Sequence, residues 1–179
     1  MIKPGEIVQT RIRPMELKDV QRVHQIDAAS FALPWPERSY RFEIQENPAS
    51  RNFVIEVVPD GEEPVIAGMI VMWFILDEAH IGTISIGEPY RRLGLGRLLL
   101  AESLLDAYRQ GIRQSFLEVR SSNQAAQRMY EQFGFQVVGI RPRYYKNNGE
   151  DALLMTLKPI EPERLETLRS RKRLANPGK

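Results

Sequence analysis

Arg91-Arg92-Leu93-Gly94-Leu95-Gly96-Arg97 separates a β-rich run ending near Ile86 from an apolar-periodic run that begins at Leu98. A strand passing through glycines into a helix start gathers unpaired backbone N–H groups and the positive end of a helix dipole at one spot. Gly94 and Gly96 carry no Cβ, so an anion can reach the backbone itself, and Arg91, Arg92 and Arg97 add positive charge around it. That chemistry suits a phosphate. The same letters also fit a glycine turn among solvated arginines. Two familiar phosphate loops are excluded: a Walker loop needs Lys-Ser or Lys-Thr after its last glycine, and a dinucleotide fingerprint needs a third glycine and a later acidic residue. This stretch has neither.

Upstream of the loop, residues 7–13 alternate apolar and polar and predict a strand, and residues 15–31 carry Leu17, Val20, Val23, His24 and Ala28 at helical spacing. The prolines of Phe31-Ala32-Leu33-Pro34-Trp35-Pro36 end that helix, leaving an apolar loop that is either a core plug or one wall of a substrate cleft. A short helix follows from Pro36-Glu37 to Gln45. Residues 52–58 and 65–76, with a turn at Pro59-Asp60-Gly61, read as an antiparallel hairpin, and residues 79–86 as a further strand. Downstream, Leu98, Leu99, Ala101, Leu105 and Tyr108 give a helix over 95–109 its apolar face, and Gly111 ends it. Then come a strand at 115–120, a helix at 124–133 that Asn123 or its serine neighbours cap and Gly134 ends, and strands at 135–140 and 152–157. Residues 141–151 between those last strands read as a polar, tyrosine-bearing loop. The sum is an α/β fold: a mixed, largely antiparallel sheet with helices on both faces.

At 179 residues and 42% hydrophobic, the chain supports one domain with a substantial core, expected over residues 1–160. Residues 161–179 carry six Lys or Arg against three Glu, so the rest of the chain is close to neutral and the basic character belongs to this tail. A basic tail reads as a solvated, frayed helix; contact with ribosomal RNA is the minority reading, and a nucleic-acid-binding body is not indicated. Without cysteine there is no thiolate metal site and no Cys nucleophile. Residues 1–9 lack the apolar core of a signal peptide, and the longest apolar run, at 65–76, is too short to span a bilayer. A cytoplasmic location is expected, with no membrane contact.

Two residues stand out chemically. Glu118 lies in an otherwise apolar strand, where desolvation would raise its basicity toward that of a useful general base. Its bland alternatives are to face solvent or to pair with Arg120 or Arg113. Tyr130 shares a helix face with Ala126 and Phe133, which equally describes a core aromatic. His24 and His80 are isolated and suggest no metal.

The order of the strand at 83–86, the loop Arg92-Leu93-Gly94-Leu95-Gly96-Arg97, Leu117-Glu118-Val119-Arg120, Ser122-Asn123 and Met129-Tyr130-Glu131-Gln132-Phe133-Gly134-Phe135 resembles the GNAT superfamily of N-acetyltransferases. Phe31-Ala32-Leu33-Pro34-Trp35, Leu76-Asp77-Glu78-Ala79 and Tyr144-Tyr145 with Gly149-Glu150-Asp151-Ala152 are most similar to the RimI type, the ribosomal-protein alanine N-acetyltransferases. The resemblance implies acetyl-CoA as co-substrate and no metal, with the pyrophosphate on the backbone of Arg92, Leu93, Gly94, Leu95, Gly96 and Arg97. Its pantetheine arm would pair with Ile84, Ser85 and Ile86, and Asn123 would touch it. Backbone N–H near Ile86 would hold the thioester carbonyl. Glu118, through water, would deprotonate the acceptor amine, and Tyr130 would protonate the departing thiolate.

The acceptor side would be formed by residues 31–41 and 141–149, with Phe31, Trp35, Tyr144 and Tyr145 as substrate-binding side chains. The implied acceptor is a protein or peptide N-terminus, a ribosomal protein among them. The alternatives are a lysine or small-molecule amine, and a non-catalytic CoA-binding module. Gly87-Glu88-Pro89-Tyr90 departs from the family's usual Asp-Pro-x-Tyr turn, and Leu93 stands where a polar residue or glycine is frequent.

Overall fold

The computed structural model describes residues 7–59 and 61–171. Its seven strands are β1 (Ile7–Pro14), β2 (Ser50–Pro59), β3 (Val65–Ile75), β4 (Glu78–Ile86), β5 (Gln114–Arg120), β6 (Gln136–Tyr145) and β7 (Glu150–Leu157), joined in one sheet in the order β1-β2-β3-β4-β5-β7-β6. Every pairing is antiparallel except β4 with β5. That parallel pair requires a crossover, and α3 (Leu95–Arg109) supplies it.

β3 is apolar along nearly its whole length because both its faces are covered. One face packs with Leu99, Leu100 and Leu104 of α3; the other with Val20 and Val23 of α1 (Val20–Ala28) and Tyr40 of α2 (Glu37–Gln45). Where β1 hands over to α1, Arg13 bridges Asp19 at 2.6 Å and Glu56 at 2.7 Å. The helix expected over 15–31 is shorter than its apolar spacing suggests. Met15 lies outside it as core, residues 17–19 form a 3₁₀ turn, and Ser30 Oγ bonds back to the Ile26 carbonyl as the chain turns away.

Two further expectations are corrected. Residues 141–145 are strand, not loop: β6 runs on through Tyr145 as the edge of the sheet, with a register break between Arg141 and Tyr145, so polarity here marks an exposed edge. Pro162–Ser170 forms a helix as expected, α5, but it is docked rather than solvated: it buries Leu165 and Leu168, each side chain contributing about 1.5–3 kcal/mol when fully buried. Its arginines help to dock it: Arg169 pairs with Glu102 of α3 at 3.1 Å, and Arg164 Nε donates to the Gln132 carbonyl at the end of α4 (Gln124–Phe133) at 3.0 Å. Residues 172–179, the rest of the basic segment, lie outside the described residues, as does Asp60 of the first hairpin turn.

Candidate active site

The site begins where β4 and β5 part. Their ladder holds from Glu78↔Gln114 to Ile81↔Leu117 and goes no further. The cause lies one strand away. Between Val71↔Thr83 and Met72↔Ile81 the β3–β4 register slips by one residue, leaving Gly82 as the bulge. Only glycine fits, since a Cβ there would stand 2.5 Å from the Trp73 ring. A lone glycine in a strand pattern is the one signal by which the sequence announces this bulge.

Beyond the split the edges of β4 and β5 enclose a groove of about 280 Å³ lined by Gly82, Ile84, Glu118, Asn123, Tyr130 and Tyr145 among others, with Phe31 and Trp35 as its wall. The apolar loop is therefore the cleft wall, although its Trp35 also stacks on Trp73 with ring centroids 6.0 Å apart. The loop is held from beneath. The buried Asp27 carboxylate accepts from the Trp35 backbone N–H at 2.6 Å, and its pKa is raised, first by burial.

At the far end of β4 the chain turns through Glu88–Tyr90, buries Tyr90 and enters α3 at Gly94, which caps the helix in left-handed geometry at φ +82°. No side chain among the described residues caps this helix start, and Leu98 N–H to Gly94 O is the first helical bond. The amides of Leu95, Gly96 and Arg97 thus precede the helical ladder and sit at its positive end. This fits a diphosphate. The unusual Gly87-Glu88-Pro89-Tyr90 turn does not disturb it, and Leu93 packs against the core.

The cofactor contacts expected of the β4 end and the loop are backbone groups, and several side chains there have other partners. Ser85 is buried and donates to Ser30 Oγ at 2.7 Å, on the other side of the sheet from the α3 loop. The Ile86 carbonyl accepts from Arg91 Nε at 2.9 Å. Arg97 Nε donates to the Leu168 carbonyl at 3.1 Å and its Nη2 to the Arg171 carbonyl, closing the C-terminal end of α5. Arg92 is exposed with φ +63°. Asn123 accepts from Ala126 N–H at 3.1 Å, capping α4 at the groove's rim.

A second cavity, about 720 Å³, opens on the other side of Glu118 and is lined by Trp35, Trp73, Phe116, Val138, Tyr144 and Leu154 among others. Glu118 and Tyr145 line both spaces. Glu118 pairs with neither Arg120 nor Arg113 but with Arg141 Nη1 at 2.5 Å. Arg120 is held by Glu150 at 2.9 Å and lies 3.7 Å over the Tyr145 ring, while Arg113 stacks on Tyr108. Tyr144 hydrogen-bonds to the Glu118 carboxylate, and this raises its pKa. Tyr130 is buried edge-on against Phe135, centroids 5.6 Å apart, and burial raises its pKa further still, keeping the phenol protonated at neutral pH. The sequence reading did not single out Arg141, Trp73 or Gly82 as part of this site. Among the described residues no cluster of His, Asp and Glu could hold a metal; His80 hydrogen-bonds to Glu78 at 2.8 Å and stacks on Phe116.

The sheet thus splits beside a glycine-started helix, with the Glu118 carboxylate and the Tyr130 phenol lining the split. Residues 20–135 match the model of the acetyltransferase (GNAT) family, and the chain belongs to that family of enzymes. It is 41% identical over 144 residues to a Bacillus subtilis protein assigned as a [ribosomal protein bS18]-alanine N-acetyltransferase, covering 80% of this chain and 92% of that one. It is 35% identical over 147 residues to the N-alpha-acetyltransferase RimI of Mycobacterium tuberculosis, covering 80% and 89%. Among solved structures, the bS18-alanine N-acetyltransferase of Escherichia coli superposes with a TM-score of 0.73 at 34% identity, covering 86% of this chain and 95% of its own. Ard1 from Thermoplasma volcanium gives 0.76 at 27%, covering 86% and 100%.

Proposed function

We propose that this acetyltransferase moves the acetyl group of acetyl-CoA onto the α-amino group of a protein N-terminus, with a ribosomal protein beginning in alanine as the leading acceptor. One observation carries the reading: Glu118 stands where two cavities meet, one lying along the parted edges of β4 and β5 and the other opening between β6–β7 and the Trp35 loop. A donor and an acceptor can enter from opposite sides and meet at one carboxylate. The names of the relatives, at up to 41% identity over most of the chain, support the acceptor class. An α-amino group, with a reference pKa near 8 against about 10.4 for lysine, is also the easier amine to deprotonate at neutral pH.

Acetyl-CoA supplies the activated acyl group. The α3 start and the backbone of residues 92–97 hold its diphosphate, and the β4 edge at Ile84, Ser85 and Ile86, unpaired with β5, guides its arm between the strands. Glu118 takes the proton from the acceptor ammonium, directly or through water. Tyr130, protonated and inside the groove, donates to the leaving sulfur. Trp35, Phe31, Tyr144 and Tyr145 exclude water and seat the acceptor's first residues. No helix among the described residues is long and apolar enough to cross a membrane, and we place the reaction in the cytoplasm, where ribosomal proteins and acetyl-CoA coexist.

The test is CoA release from acetyl-CoA with peptides that differ at their first residues. Turnover on an alanine-initiated ribosomal peptide, lost when its α-amino group is blocked, is the expected result. Turnover confined to lysine side chains or small amines would replace the acceptor class, and tight acetyl-CoA binding with no turnover on any amine would overturn the enzymatic roles.

A further inference from the structure

The Glu118 carboxylate does not meet the second cavity bare. Arg141 Nη1 sits 2.5 Å from Glu118 Oε1 and Tyr144 hydrogen-bonds to the same group, so two donors already occupy the side from which an acceptor would come. The ion pair stands at the cavity mouth: 54% of the Arg141 side chain and 30% of the Glu118 side chain are exposed. Arg141 belongs to the edge strand β6, at the residue after which the β6–β7 register breaks, and its guanidinium lies 5.6 Å from the Tyr144 ring. Rotating this long side chain outward breaks no ladder bond, and an ion pair so exposed is weak.

A guanidinium and an alkylammonium are the same kind of partner to a carboxylate: both are cations that donate N–H bonds. Both cannot hold one half-buried carboxylate without repelling each other. The other nearby cations are committed elsewhere, Arg120 to Glu150 and Arg113 to the carbonyls of Tyr108 and Ile112. We propose that Arg141 is a placeholder for the acceptor: its guanidinium occupies the seat on Glu118 that the acceptor's ammonium takes, and it swings out when that ammonium arrives. This rests on the reading of Glu118 as the base for an amine acceptor. The consequence is a filter. A ligand without a positive amine does not displace Arg141 and gains nothing from Glu118, whereas a cationic amine exchanges for it.

The filter predicts opposite responses from two peptides. Affinities of the CoA-bound protein are measured for an alanine-initiated peptide and for its Nα-acetylated twin, in wild type, Arg141→Met and Arg141→Lys. Methionine keeps an apolar stem beside Tyr144 but removes the competing charge. The free-amine peptide binds Arg141→Met roughly three- to tenfold more tightly than wild type, its KM falling more than kcat changes, while the acetylated twin stays within about twofold. Arg141→Lys returns both to wild-type values. Weaker free-amine binding, or parallel shifts for both peptides, would overturn the proposal.

A second measurement needs no turnover. The Arg141 Nε–H resonance, assigned by its loss in Arg141→Met, moves toward the solvent-exposed value when alaninamide or propylamine is added to the wild-type protein with CoA. A signal that no amine moves sinks the placeholder role. Displacement by simple amines with no turnover of any α-amine peptide would instead sink the acceptor class and leave the placeholder standing.

Discussion

The two sides of the groove are built of different material. Around the α3 start the contacts offered to a ligand are backbone amides, and two of the three arginines expected to supply charge also bond within the protein, Arg97 to the Leu168 and Arg171 carbonyls and Arg91 to the Ile86 carbonyl and Ser30. On the β6–β7 side everything is side chain: Glu118 from β5, and Arg141, Tyr144 and Tyr145 from β6. A backbone site tolerates most substitutions that keep its dihedral angles. A side-chain site tolerates few, because each group acts through its own protons and charge.

The largest effect should come from the side-chain half. Glu118→Gln is expected to cut turnover by about 10² to 10⁴ while leaving acetyl-CoA affinity near wild type, read from steady-state CoA release and calorimetry together. A matched loss of cofactor binding would erase the contrast. Tyr130→Phe is isosteric and should cost about 10² in turnover with the same split, because the hydroxyl is lost but the packing on Phe135 is kept.

The backbone half is broken through dihedral geometry instead. Gly94→Val forces a branched side chain into left-handed geometry, with its Cβ 3.3 Å from Arg97 Nη2. It should weaken acetyl-CoA about tenfold, in line with the roughly 1–2 kcal/mol strain of that geometry. Arg97→Ala sharpens the same point from the opposite direction. It is expected to lower stability by about 1 kcal/mol, measured by denaturant unfolding, through loss of the α5 end contacts, and to change the acetyl-CoA Kd by no more than about threefold.

The smallest effect concerns the clasp that keeps the two halves in register. Glu150, on β7, accepts from Ser122 N–H at 2.8 Å and from Arg120 at 2.9 Å, and bonds to Ser122 bring its pKa down from 4.5 to about 2. A depressed carboxylate contributes its stability in full above the unfolded value and loses it as pH falls toward the folded one. The melting-temperature gap between wild type and Glu150→Gln should therefore be constant above about pH 5 and shrink between about 4.5 and 2. A gap that is independent of pH would mean that Glu150 acts only by packing.

Much of this was legible from letters alone. The glycines of 94–96, the capping Asn123 and the terminating Gly134 impose local backbone geometry, and the helices at 95–109 and 124–133 match their expected spans to the residue. Where the reading failed, the deciding contact was long-range. Leu165 and Leu168 carry the same letters in a solvated helix as in α5, and only the α3 surface distinguishes the two. Arg113 and Arg120 are near Glu118 in sequence, but the sheet order brings β7 between β5 and β6 and still delivers Arg141, 23 positions on, to its carboxylate.

The sequence by itself therefore determined the family, the element order and the phosphate-suited loop, because these depend on periodicity and on residues whose backbone freedom is intrinsic. Only the tertiary structure decided what the charges do. It opened the sheet at Gly82, tied Arg97 to the carbonyls of Leu168 and Arg171 and set Arg141 on Glu118. Coulombic and hydrogen-bonding partners are chosen by distance in space, and distance in space is a property of the assembled sheet.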